Sequence, residues 1–304
     1  MVKKLGLKNA LAGLALGTLS LAFSIPGHAV TITPTLDGGT LVNALLGGGG
    51  VGIDLSTVTF SFSGHQFGSD VSAGTYTGAV GTYGIADGIV ISSGAVNQFG
   101  TSSDVSFGNT ATVAQEALLQ PISGISEHFD VTQLDVSFDM LPGFDSVFFN
   151  VTFQSTEFPF YIGSQFIDAF GLYVNGNNIA FVDGDPINVD HPYMGTDPFF
   201  PGPGLPAGNF SGVLGSVATG STQGSGNLAI GPFFHTFSSP VNATGNNLTF
   251  IIADSGDQLL DSFAFISQLG GSPPPPPNGV PEPGTLAMLG LGLAGLAFLR
   301  RRRT

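Results

Sequence analysis

Five carboxylates have types and spacing that could do chemistry: Glu157 and Asp168, and then Asp254, Asp257 and Asp261 in the run ADSGDQLLD. Two chemistries suit such a set. A pair such as Glu157 and Asp168 can act as acid and nucleophile in glycoside cleavage, provided that an open cleft separates them by the right distance. Several carboxylates gathered together can instead hold a hard cation, and calcium takes roughly six to eight oxygen ligands, mixing carboxylates with backbone carbonyls in irregular loops. The spacing of Glu157 and Asp168 along the chain fixes no separation in space, so the hydrolase is the weaker of the two. The expectation is a structural calcium site drawn from Glu157, Asp168, Asp254, Asp257 and Asp261. The alternative use of the same acids is capping turns and accepting backbone N–H groups beside strands.

The charge census favours a cation. The chain has 304 residues, 21 Asp and Glu and only seven Lys and Arg. Lys3, Lys4 and Lys8 stand at the front and Arg300, Arg301, Arg302 and Arg303 at the back, so residues 30–299 hold all the acids and no Lys or Arg. Acids there must be solvated, protonated, hydrogen-bonded or neutralised by metal. Nucleic-acid binding is excluded, because phosphate backbones are gripped chiefly by Lys and Arg. A lysine nucleophile and an arginine phosphate clamp are missing too. With no cysteine there is neither a disulfide nor thiol chemistry. His65, His128, His191 and His235 are scattered without metal-binding spacing and are expected on the surface or in loops. Serines are plentiful, but no GxSxG elbow points to a catalytic triad.

The elements that must position these acids are mostly strands. Short runs rich in Phe, Val, Ile and Thr recur between turn residues: STVTFSFSG at 56–64, DGIVISSG at 87–94, TQLDVSFDM at 132–140, DSVFFNVTF at 145–153, DAFGLYVNG at 168–176, NIAFVDG at 178–184, NLTFIIADS at 247–255 and DSFAFISQL at 261–269. Alternation places Val147, Phe149, Val151 and Phe153 on one face. One soluble helix is predicted over Thr110–Pro121, with Val113, Ala117 and Leu118 on its apolar face and Pro121 stopping it. The predicted fold class is all-β, an antiparallel β-sandwich or jelly-roll-like domain with one short helix, plus a helix at each end of the chain. A proline-rich loop region spans about 183–227.

Those terminal helices read as addresses. Residues 1–29 combine three lysines, an apolar run from Ala10 to Phe23 and small residues before Ala29, the pattern of a signal peptide cut by signal peptidase. At the other end, GGSPPPPPNG leads to Val280-Pro281-Glu282-Pro283-Gly284 and an apolar stretch over Thr285–Leu299, followed by the arginines. As a helix, that stretch spans ~22 Å, short of the ~30 Å hydrocarbon core without help from its flanks. The arginines favour the cytoplasmic side and stop transfer.

The segment from Val280 resembles the PEP-CTERM sorting signal of Gram-negative bacteria, which carries a Pro-Glu-Pro motif, a helix and an arginine cluster in that order. The resemblance implies cleavage by an exosortase near Pro281, Glu282 and Pro283, and delivery to the cell surface or the exopolysaccharide matrix. The implied domains are a signal peptide at 1–29, a β-sandwich at 30–270, a linker at 271–279 and a sorting segment with a transmembrane helix at 280–304.

A second resemblance covers most of the body. TFQSTEFPFYIGSQFIDAFGLYVNG at 152–176, NIAFVDG, FIIADSGDQLLDSFAFI at 250–266 and GIVISSG at 88–94 are similar to the choice-of-anchor L family of bacterial surface domains. The family pattern has paired acids before a Tyr/Phe-Pro step, whereas this chain has Thr156-Glu157-Phe158-Pro159. Thr156 is therefore not carried over as a ligand. Together these readings imply a non-enzymatic, exported surface or extracellular-matrix protein with a structural or adhesive role, stabilised by calcium. A carbohydrate-binding module for exopolysaccharide is the alternative, although the chain lacks Trp and has only five Tyr for stacking platforms. Asn-x-Ser/Thr triplets at 150, 209, 242 and 247 are chance occurrences in a chain with a bacterial signal.

Overall fold

The computed structural model describes residues 30–47, 50–79, 85–99, 104–157, 161–182, 184–192 and 235–273. The signal segment, most of the 183–227 loop, the linker beyond Pro273 and the sorting segment lie outside the described residues.

The first part of the chain forms β1 (Thr31–Pro34), α1 (Gly38–Leu45), β2 (Ile53–Ser63), β3 (Gln66–Phe67), β4 (Asp70–Val71), β5 (Ala73–Thr77) and β6 (Gly88–Ser92). The middle adds α2 (Val113–Ser123), β7 (His128–Met140), β8 (Ser146–Ser155), β9 (Ala169–Val174), β10 (Asn177–Asn178), β11 (Phe181–Val182) and β12 (Asp185–Pro186). The last part is β13 (His235–Pro240), β14 (Asn246–Ser255) and β15 (Ser262–Ser272). β15 takes in Gly271 and Ser272, the first two residues of the expected linker.

Two antiparallel sheets result, ordered β1-β5-β6-β15-β8-β13 and β10-β9-β14-β7-β2, with β11-β12 and β3-β4 as small hairpins. They face each other across one apolar layer, to which β8 contributes Val147, Phe149, Val151 and Phe153, the row that alternation predicted. Phe149 of β8 meets Phe250 of β14 edge-on, with ring centroids 5.7 Å apart. The arrangement is that of a β-sandwich.

The outer faces are partly covered as well. α2 packs on β9, β14 and β7, where Leu119 and Ile122 cover Tyr173, Ile251 and Ala253. Beyond the other sheet, Val96 and Phe99 pack on Val90, Phe263 and Phe265. β6, β9, β14 and β15 therefore bury both faces and read as largely apolar runs, whereas β7 still alternates.

Two helices form where one was predicted. α1 is capped by Asp37, whose carboxylate accepts the Thr40 N–H at 3.1 Å. It packs between β2 of one sheet and β5, β6 and β15 of the other, burying Leu41, Val42 and Leu45. α2 starts at Val113 because Thr110 bridges Phe129 and Thr112 forms a capping box with Gln115. Pro121 sits within its last turn, and Gly124, at φ 75°, ends it instead. The predicted apolar face is corrected too: Val113 is 88% exposed and Ala117 is exposed, while Leu119 and Ile122 are buried. The tertiary contact at the helix's C-terminal end decides which stripe faces the sheet.

Candidate functional site: a polar layer closing the sandwich

Each inward-facing row of apolar residues ends in an oxygen-bearing side chain at the same end of the sandwich. In β14 the core row Leu248, Phe250, Ile252 continues to Asp254, and in β9 the row Val174, Leu172, Phe170 continues to Asp168. The row in β8 continues to Ser155 and then Glu157; in β15, Ile266 and Ala264 lead to Ser262; in β7, Val136 and Leu134 lead to Thr132. Period-two alternation places these polar groups on the core side. Register brings them to one end, since Ala253 pairs with Ala169, Ser262 with Ser155 and Ile252 with Thr132. A bulge between Ile252 and Asp254 offsets the pairing there. Thr132, Ser155, Asp168, Asp254 and Ser262 are all fully buried, and Glu157 is 1% exposed.

Hydrogen bonds stitch part of this layer together. Ser262 Oγ donates to Asp168 Oδ2 at 2.7 Å across the two sheets, and the Ser255 N–H donates to Asp168 Oδ1 at 3.2 Å. The Asp168 N–H reaches Glu157 Oε2 at 3.4 Å. Thr156, in the position where the family pattern has an acid, donates its N–H and hydroxyl to the Asp261 carbonyl at 3.1 and 3.0 Å. Asp261 Oδ2 accepts the Ala95 N–H at 3.3 Å, and the Val105 N–H and the Asp104 carboxyl also lie against this carboxyl. Its carboxyl lies against Gly94, where a Cβ would come within 1.8 Å of Asp261 Cγ.

Other oxygens have no partner. Both carboxylate oxygens of Asp254, Asp261 Oδ1, Thr132 Oγ1 and Ser255 Oγ are buried without a hydrogen bond, though the Ser93 hydroxyl is close enough to ease the burden on Asp254 slightly. Asp130, also fully buried, shows what a satisfied carboxylate looks like in the same fold. It accepts the Phe107 and Asn109 N–H groups, each at 2.8 Å, and the Ser106 hydroxyl at 3.1 Å.

The electrostatics follow from this burial. Desolvation pushes Glu157 up to about 9, with the charge of Asp254 adding to it and the Asp168 N–H opposing it. Burial, then the charge of Glu157, holds Asp168 well above the usual carboxylate range. Burial followed by the charges of Asp168 and Asp261 does the same for Asp254. Burial and then neighbouring Asp104 push Asp261 up to about 8.

Of the five acids expected to form one site, Glu157, Asp168 and Asp254 lie together in the end layer and Asp261 adjoins it. Asp257 is only half-buried and caps its own turn, accepting the Leu259 N–H at 3.2 Å. Burial raises its carboxyl as well. Asp104, Thr132 and Ser262 were missed by sequence reasoning. Asp104 accepts the Leu260 N–H at 2.9 Å beside Asp261. A polar residue ending an apolar alternating row was the available signal for Thr132 and Ser262. Among the described residues, no three His, Asp or Glu are already gathered as a ready metal cage.

The histidine expectation of surface or loop positions is corrected at His128, while His65 and His191 do lie in loops. His128 is fully buried and His191 is 2% exposed, while His65 is half-buried; the side chain of His235 lies outside the description. His128 sits at the head of β7, because α2 folds back over it. Its Nδ1 bonds Glu116 Oε2 at 2.6 Å, its N–H donates to Glu116 Oε1 at 2.9 Å, and Nε2 bonds Ser123 Oγ at 2.8 Å. Serine, histidine and carboxylate are thus in triad order, but the surroundings are wrong for acyl transfer. The Ile125 N–H is donated to Ser123 Oγ itself and the Gly124 N–H to the Gln120 carbonyl, so neither is aimed at an oxyanion. The trio locks both ends of α2 to β7.

The comparisons with known proteins agree on family and sorting. The Choice-of-anchor L domain model matches residues 30–196, and the PEP-CTERM protein-sorting motif matches residues 279–303. No curated protein and no solved structure matches. The sorting motif implies export, processing by an exosortase and cell-surface sorting in a Gram-negative bacterium. With more than half of its residues covered by the first model, the chain belongs to the Choice-of-anchor L domain family and carries a PEP-CTERM sorting motif.

Proposed function

We propose that the protein serves as a non-enzymatic structural or adhesive component of the cell surface or extracellular matrix, detached from its sorting segment by exosortase. The observation that carries this reading is a sorting motif joined to a sandwich whose residues 30–299 contain no Lys or Arg. Loss of the tail would leave a body of uniformly negative charge, which resists non-specific attachment to anionic polysaccharide and membrane. Divalent cations would then bridge it to such partners. Glu157 and Asp168 support a non-catalytic role: both are buried and joined through a backbone N–H, whereas glycoside cleavage needs two carboxyls that flank a bound sugar.

Intact-mass measurement on protein from the envelope and the medium, in hosts with and without the exosortase, tests the proposal. A shortened C-terminus and surface retention only where the protease is present is the expected result. A chain ending at Thr304 in both hosts would overturn it.

One observation favours the carbohydrate-binding alternative. An open groove between α1 and β2 is lined by Gly39, Val42, Asn43, Leu46, Val58 and Phe60, and Phe60 is 49% exposed. Exopolysaccharide binding that is lost in Phe60→Ala would select this reading.

A further inference from the structure

We infer that the polar layer at the end of the sandwich is a binding site for a calcium-like divalent cation, centred on Asp254 and completed by Asp168, Asp261 and Thr132. The inference goes beyond the surface role proposed above and stands without it.

Three observations carry it. First, Asp254 is fully buried, and neither of its carboxylate oxygens accepts a hydrogen bond. Natural proteins rarely leave such groups unpaired, and an orphaned buried carboxylate is the usual trace of an ion or water. Second, the side chains around Asp254 are of one chemical kind. Asp254 lies among Asp168, Asp261 and Asp130, and Thr132 Oγ1 pairs across the ladder from the residue two before it. Apart from backbone N–H groups, every contributing group is a carboxylate or a hydroxyl. An oxygen-only set selects a hard cation and disfavours zinc or copper, which prefer nitrogen and sulfur. Third, the fold makes room for these side chains where an ordinary core would not. Gly94 has no Cβ, and one there would occupy the position of the Asp261 carboxyl.

The acids come from β14, the approach to β9 and the approach to β15, and Thr132 comes from β7. An ion there would tie both sheets together at the end where the apolar rows stop. No metal cage is already formed among the described residues, so binding would require Asp254, Asp168 and Asp261 to close onto the ion. Asp130 takes no part, because three backbone N–H groups and the Ser106 hydroxyl already hold its oxygens, against one N–H and one hydroxyl on Asp168. Calcium fits this assembly better than magnesium, since it tolerates irregular geometry and mixed denticity, whereas magnesium demands a near-ideal octahedron and sheds water reluctantly.

Thermal melting of the protein isolated from producing cells tests the site, with calcium chloride, magnesium chloride or a chelator at matched ionic strength and neutral pH. Calcium at roughly 100 times its dissociation constant should raise the midpoint by about 5–10 °C over the chelated protein, and magnesium by clearly less. Asp254→Asn should abolish the calcium shift, while Asp257→Asn, altered outside the layer, should keep it. Equal midpoints in calcium and chelator would overturn the inference, as would an Asp254→Asn variant that responds in full. If Asp254→Asn does not fold, metal content decides. Native-state mass spectrometry should find one calcium per chain, removable by chelator, and a metal-free native protein after equilibration with calcium would be fatal to the site. Exosortase-dependent sorting is read separately by intact mass, so failure of either proposal leaves the other standing.

Discussion

Asp254 is the residue on which the physical behaviour of this protein turns. A carboxyl held protonated by burial changes stability with pH in a definite direction. Its folded pKa lies above its unfolded one, so the folded state binds the extra proton, and stability falls as pH rises between the two values. Glu157, raised from an ordinary value of 4.5 to about 9, and Asp261, raised from 3.8 to about 8, set that window. Asp168 and Asp254 shift in the same direction, Asp104 and Asp130 adjoin them, and no Lys or Arg lies within 30–299 to oppose them. The chelated protein should therefore melt highest near pH 4 to 5 and lose stability steadily up to pH 8 to 9. Asp254→Asn should flatten the slope and raise the melting point at pH 8. A chelated protein equally stable at pH 5 and pH 8 would show that these carboxyls are not held as described. His128 supports a second prediction at this scale. His128→Ala removes bonds to Glu116 and Ser123 and opens a buried void, for an expected loss of about 2–4 kcal/mol by denaturant titration.

At the scale of elements, the GIVISSG run shows why two glycines must flank a strand. A Cβ on Gly88 would lie 2.1 Å from the Ile266 carbonyl oxygen and 3.0 Å from Ser267 Cα, so β6 and β15 pair only because that atom is missing. Backbone cannot yield as a flexible side chain can, and Gly88→Ala should cost roughly 3 kcal/mol or more, a fall of about 6–12 °C in melting temperature. A variant that melts like the parent would mean that the strands do not approach so closely. The long strands were legible because their residue types and turn boundaries are local properties, and β7, β8, β14 and β15 fall where runs of Phe, Val and Ile predicted them. β1, β5 and β13 were not, since short strands such as TITP and AGTYT carry no pattern that separates them from loop. α1 was hidden because GGTLVNAL opens with two glycines, and its capping Asp37 resembles any turn residue. The acids of the site were visible as residue types. Their convergence depends on antiparallel register between strands about 90 residues apart, a property no local window contains.

On the scale of the whole molecule, the sandwich is closed by strands from the far end of the chain. The family model covers residues 30–196, yet β14 lies between β9 and β7 in one sheet, and β15 lies between β6 and β8 in the other. Without them, β8 has no partner among strands before residue 197, β9 keeps only the two-residue β10, and the core loses Leu248, Phe250, Ile252, Ala264 and Ile266. The row ends that gather Asp168, Thr132 and Asp254 also lose their central member. A chain truncated after residue 196 should therefore show no cooperative unfolding and no response to calcium, whereas one truncated after Pro273 should melt like the parent. Melting followed by far-ultraviolet circular dichroism distinguishes the two. A sharp transition in the shorter chain would mean that the first 167 residues of the domain form a core of their own. Because the two central strands come last, one sheet cannot close until Ser255 is available and the other until Ser272, so folding of the body waits for nearly the whole domain.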